Sequence, residues 1–125
     1  MKTDEKADGA PPVTIYHNPA CGTSRNTLQA IISAGLEPRV VRYLEVGWRR
    51  DELTKLLADM QLGPRELLRV RGTPAEDLGL TRKGVSDAAI LDAMVAHPIL
   101  VERPIVVTPT GVALCRPWDR VKTLI

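Results

Sequence analysis

The stretch Val13-Thr14-Ile15-Tyr16-His17-Asn18-Pro19-Ala20-Cys21-Gly22-Thr23-Ser24-Arg25-Asn26-Thr27-Leu28 decides the reading of this chain. The apolar, β-branched run over residues 13–17 reads as a strand. A polar turn, Asn18-Pro19-Ala20, follows, and then a helix with Cys21 at its entrance. Sulfur placed there meets free backbone N–H groups and the positive end of the helix dipole. Both favour the thiolate, the nucleophilic form of cysteine. A free cysteine is most often a small buried hydrophobe. Here Asn18, Gly22, Thr23, Ser24 and Arg25 are small or polar, so the loop belongs at the surface and the reactive reading is preferred.

Working outward, the helix after the turn presents Leu28, Ile31 and Ile32 on one face and ends at Gly35. Residues 39–44 form a second strand. Asp51 and Glu52 open a helix bearing Leu53, Leu56, Leu57 and Met60 at helical spacing. Pro64 starts a short helix over 64–69, and residues 74–78 make one more turn. Ser86 caps a helix with Ile90, Leu91, Met94 and Val95 inward, ending at His97-Pro98. Residues 104–108 are a strand, Pro109-Thr110-Gly111 a turn and 112–116 the returning strand, with a closing helix from Pro117.

The order is β-α-β, a helical stretch, then a β-hairpin and a helix, which is α/β in class. With Cys21 at a helix entrance after the first strand and Pro104 just before the third, it resembles a thioredoxin-like fold. That resemblance implies a mixed four-stranded sheet with helices on both faces and a helical insertion. It also places Pro104 where such folds carry a cis-proline opposite the active cysteine.

A chain of 125 residues, 44% apolar, is long enough for one real hydrophobic core. Residues 1–12 are charged and end Asp8-Gly9-Ala10-Pro11-Pro12; they read as a flexible tail ahead of a single domain over 13–125. No apolar h-region marks a signal peptide, and no run of about 18 apolar residues marks a membrane span. Two cysteines without a secretory signal point to the cytoplasm and to reduced thiols. The net charge of +2 gives no footprint for nucleic acid, and the short chain of small charge reads as a monomer. Twelve of the 17 basic residues are Arg, whose planar fork suits tetrahedral oxyanions, although surface arginines alone would give the same count.

Three templates test the Cys21 loop. Dithiol exchange needs Cys-x-x-Cys, but position 24 is Ser, so the chain lacks a resolving thiol in that motif. A cysteine phosphatase needs Cys-x5-Arg, but position 27 is Thr. The glycine-lysine phosphate loop is absent. Cys115 neighbours Arg116 on a strand, so the two side chains point to opposite faces. If Arg116 faces the active loop, Cys115 is a core residue, and a second thiol must come from another molecule. Three readings of His17 are open: it tunes the thiol, orders the loop, or is simply a satisfied strand-end histidine; no His, Cys and carboxylate set has metal-ligand spacing.

The opening segment, together with Tyr43-Leu44-Glu45, Arg65-Glu66-Leu67-Leu68-Arg69, His97-Pro98-Ile99-Leu100, Arg103-Pro104-Ile105-Val106-Val107-Thr108-Pro109 and Leu114-Cys115-Arg116-Pro117, resembles the glutaredoxin-coupled arsenate reductases. The resemblance covers nearly all of residues 13–125. It implies that Cys21 attacks arsenate and that Arg69, Arg103 and Arg116 hold the oxyanion. His17, Asn18, Ser24 and Pro104 take supporting roles. No bound cofactor or metal is implied; glutathione is the co-substrate and glutaredoxin the partner. Two other readings stay open from the residues. One is a redox-responsive regulator of the Spx type that binds RNA polymerase, although Ser24 replaces the second cysteine of its switch. The other is a glutathione-dependent thiol oxidoreductase without arsenate specificity.

Overall fold

The computed structural model describes residues 13–125; the tail expected over residues 1–12 lies outside the described residues. Chain contacts divide into two units, one formed by residues up to Arg42 with Arg103–Ile125, the other by Tyr43–Glu102.

In the first unit, strand β1 (Thr14–Tyr16) is followed by helix α1 (Gly22–Ser33) and strand β2 (Arg39–Val41). Strands β3 (Ile105–Thr108) and β4 (Gly111–Leu114) form the hairpin, and a 3₁₀ helix, Trp118–Thr123, closes the chain. The sheet order is β2-β1-β3-β4, with β1 parallel to β2 and antiparallel to β3. This is the mixed four-stranded sheet of a thioredoxin-like fold.

Register explains the core. Ile15 lies opposite Val40 and Val106, and Val106 lies opposite Ala113, so these side chains share one face. Ile15 and Val106 are fully buried with Ile31 of α1, Cys115 and Val121 of the 3₁₀ helix. Val40, on the outermost strand, is half exposed. Burying each large aliphatic side chain contributes about 1.5–3 kcal/mol. This cluster therefore fixes both the sheet and the second half of α1.

Several elements depart from the sequence expectations. The inward stripe of α1 is Ser24, Thr27 and Ile31, with Leu28 packed at its side; Ile32 is 51% exposed. A helix turns about 100° per residue, so a stripe centred on Ile31 carries Ile32 off the core. The same rotation puts Val95 outward beside the buried Met94. The second strand stops at Val41, because Tyr43 begins a short helix, α2 (Tyr43–Val46). β4 ends at Leu114, and the closing helix is 3₁₀. Gly35 does terminate α1, with φ 85° in the left-handed region.

The second unit is helical and is inserted in the chain between β2 and β3. It comprises α2, α3 (Arg50–Met60), α4 (Pro64–Leu67), α5 (Asp87–Ala96) and a 3₁₀ turn, Pro98–Leu100. Ser86 Oγ accepts from the Ala89 N–H and caps α5, as its position predicts. Leu53, Leu57, Ile90, Met94 and Leu100 are buried, and Tyr43 stacks on Trp48 at 5.2 Å. After α4 the chain straightens, and Leu68 forms an antiparallel bridge to Val101. No helix among the described residues is long and apolar enough to cross a membrane.

The core assignment is tested by urea unfolding. Ile15→Ala should cost about 2–5 kcal/mol. Ile32→Ala, at the neighbouring but outward position, should cost less than about 0.5 kcal/mol.

Candidate active site

The loop between β1 and α1 is built by short local bonds. The His17 N–H donates to the Val41 carbonyl at 2.8 Å, carrying the β1–β2 pairing one residue further. The chain then turns: Asn18 Oδ1 accepts from the Ala20 N–H at 3.0 Å, and the Asn18 carbonyl accepts from the Cys21 N–H at 3.0 Å. Cys21 is the N-cap of α1, with extended backbone, and its carbonyl takes the first helical bond from Arg25. The Arg25 guanidinium reaches back to the Pro19 carbonyl at 3.0 Å, a strap that sequence reading did not foresee.

Ser24, fully buried one turn into α1, ties the loop to the strand. Its Oγ accepts from the Asn18 N–H at 3.1 Å and lies 2.6 Å from His17 Nδ1. The hydroxyl can both accept from the amide and pair with Nδ1, the imidazole tautomer setting which of the two donates. His17 is held neutral: burial lowers its pKa, and the Arg42 and Arg25 charges lower it further. Among the readings open from sequence, the geometry favours ordering of the loop.

Cys21 Sγ is partly exposed, and two arginines converge on it. Arg116 Nη1 lies 3.9 Å from Sγ and also donates to the Arg103 carbonyl at 2.9 Å. Arg103 is only 9% exposed, and its Nε and Nη1 have no hydrogen-bond partner among the described residues. Burial pushes the Cys21 pKa up. The Ser24 amide and the Arg103 and Arg116 guanidiniums outweigh burial and bring it down to about 7. Cys21 makes no capping bond with its side chain in the resting helix, so the amide acts by proximity to the thiolate.

The Arg103–Pro104 peptide is cis, as the fold resemblance implies, and Arg116–Pro117 is cis as well. The Pro104 carbonyl accepts from the Cys115 N–H at 2.9 Å. Cys115 is fully buried in the first unit's core, and burial raises its thiol pKa to about 11. Arg116 reaches Cys21 while Cys115 packs inside, as their adjacent positions predicted. Arg69 belongs to the second unit, where its Nη1 pairs with Glu102 Oε1 at 2.9 Å. Glu102 was not singled out from sequence; the only available signal was its place beside Arg103. Among the described residues, no three His, Cys, Asp or Glu side chains cluster as metal ligands.

The fold and the loop define a thioredoxin-like domain with one activated cysteine beside arginine donors. The model of the ArsC family matches residues 16–124, and the chain belongs to that family. An arsenate reductase of Escherichia coli strain K12 is 55% identical over 107 residues, which is 86% of this chain and 76% of that protein. One from Acidiphilium multivorum is 56% identical over the same shares of each chain. The solved structure of an arsenate reductase from Vibrio cholerae superposes with a TM-score of 0.87 at 36% identity, covering 94% of this chain and 100% of that one.

Two measurements check the geometry. Alkylation of the native protein should modify Cys21 alone, with a rate that rises through a midpoint near pH 7 and then levels. Arg116→Ala should move that midpoint upward, because a cation favouring the thiolate is gone. Ser24→Ala leaves the Asn18 N–H and His17 Nδ1 without their shared partner. It should cost about 1–3 kcal/mol in urea unfolding.

Proposed function

We infer that the protein is an arsenate reductase that draws reducing equivalents from glutathione and glutaredoxin. The observation that carries this reading is the covered Arg103 guanidinium, whose Nε and Nη1 lack partners while Arg116 Nη1 sits 3.9 Å from the nucleophilic sulfur. Buried donors of that kind call for a bound acceptor, and an oxyanion supplies charge and several oxygens at once. Identity above one half to proteins named arsenate reductase supports arsenate as that oxyanion.

The residues then take definite roles. Cys21, with a pKa near 7, is thiolate in a large fraction of molecules at neutral pH. Its sulfur attacks the arsenic of a dihydrogen arsenate ion, one arsenic–oxygen bond breaks, and that hydroxyl takes the anion's other acidic proton and leaves as water, so that a sulfur–arsenic(V) bond forms. Arg103, Arg116 and Arg69 hold the remaining oxygens and neutralise their charge. A glutathione thiolate attacks the Cys21 sulfur; the sulfur–arsenic bonding pair stays on arsenic, which becomes arsenic(III). The Cys21–glutathione disulfide left behind is reduced when glutaredoxin takes the glutathione and restores the thiol. His17, Asn18 and Ser24 keep the loop in the shape that presents Cys21, and Pro104 shapes the opposite wall.

An external thiol is needed because Cys115 lies in the core with its pKa raised to about 11. The reading treats residues 13–125 as one catalytic domain, supported by a family match that runs through both units. It also takes the protein to be a cytoplasmic monomer, where glutathione is abundant and thiols stay reduced.

The test is arsenite formation with glutathione and glutaredoxin present. Cys21→Ser should abolish turnover, and equal rates for both proteins would refute the reading. Arg103→Ala and Arg116→Ala should each raise the arsenate KM by roughly 10- to 100-fold, the scale of a hydrogen bond to a charged group.

A further inference from the structure

The chemistry above leaves Glu102 without a task, yet the structure builds it a place. Leu68 and Val101 form an antiparallel bridge. On either side of it the Arg69 N–H donates to the Leu100 carbonyl at 2.7 Å and the Glu102 N–H to the Leu67 carbonyl at 2.9 Å. The ladder fixes both backbones, and the side chains meet at 2.9 Å with only 16% and 23% of their surfaces exposed. An ion pair so covered is weakly screened by salt. A carboxylate occupies the same guanidinium donors that a tetrahedral oxyanion uses. Glu102 is also the residue immediately before Arg103 in the chain.

We propose that Glu102 is a positioning residue that acts as the internal counter-anion of Arg69, so that the substrate oxyanion competes with its carboxylate for the guanidinium. This rests on the reading of Arg69 as an oxyanion ligand. The competition tempers anion affinity. It also favours release, since arsenite leaves as a neutral acid and cannot hold Arg69 against a carboxylate already aligned with it. A carboxylate that only braced Arg69 or the fold would leave anion affinity unchanged or lower it when its charge was removed.

The experiment compares wild type, Glu102→Gln, Glu102→Asp, Arg69→Ala and the Arg69→Ala/Glu102→Gln double variant. Arsenate KM and kcat are measured at saturating glutathione and glutaredoxin, and binding of inorganic phosphate is measured separately by calorimetry. Gln keeps the shape and an acceptor oxygen but loses the charge. It should lower both the arsenate KM and the phosphate Kd by about three- to fivefold, the scale of a single ion pair, with no gain in kcat. Asp keeps the charge and should stay within about twofold of wild type. In the Arg69→Ala background Glu102→Gln should change neither constant, because the coupling runs through Arg69. Unchanged or weaker anion binding in Glu102→Gln, while Arg69→Ala still raises KM, would overturn the counter-anion role alone. So would tightening by Asp as large as that by Gln, since reach and not charge would then set the affinity. An unchanged KM in Arg69→Ala would remove Arg69 from the oxyanion site, and the present proposal with it.

Discussion

Positive charge taken out of water is the constraint on which the active loop depends. Arg103 is covered to about nine-tenths, with two of its nitrogens unpaired, and Arg116 spends one nitrogen on the carbonyl of Arg103 itself. A guanidinium as covered as that of Arg103 costs stability unless an anion stands beside it. The Cys21 thiolate supplies that anion in the fraction of molecules where the thiol, with its pKa near 7, is ionised. Under the proposed function the same charges that make the sulfur nucleophilic also receive the oxyanion, which makes activation of the nucleophile and recognition of its target one electrostatic matter. Desolvation works against the thiolate and is still outweighed.

The loop holding the sulfur owes its shape to neutral hydrogen bonds. His17, the obvious candidate for a cation beside the thiol, is buried between a strand and Ser24 with arginines nearby, and each of those influences drives it neutral. Its contribution is therefore geometric. Ser24 stands where a dithiol enzyme carries its second cysteine, and its hydroxyl has been turned to structural use, joining Asn18 and His17. The substitution that removes disulfide chemistry from the motif is thus also the one that stiffens it.

Much of this was legible in the chain. The strand, turn and helix around Cys21 follow from local composition; strand alternation set Cys115 and Arg116 on opposite sides, and the family resemblance, with Arg116 as a ligand, said which of them faces the loop. The mixed four-stranded sheet followed from resemblance to a known fold, since pairing between Tyr16 and Ile105 joins residues too far apart for any local pattern to indicate. The errors share a cause. Ile32 and Val95 are apolar and sit beside true core residues, and sequence periodicity cannot fix the rotation of a helix to better than one residue. Arg25 and Glu102 were passed over because their meaning lies in partners, the Pro19 carbonyl and Arg69, that only folding brings to them.

The burial of Cys115 has a consequence beyond the catalytic cycle. Peroxide oxidises thiolates selectively, and a cysteine with a pKa near 7 offers thiolate at neutral pH. Proteins with a neighbouring thiol halt such damage by closing an internal disulfide at the sulfenic acid stage. Here the second sulfur is sealed in the core, so a sulfenate on Cys21 has no rescuer within the molecule and advances to the irreversible sulfinic acid unless a small thiol caps it first. The survival of the protein under oxidative stress is therefore tied to the thiol pool around it.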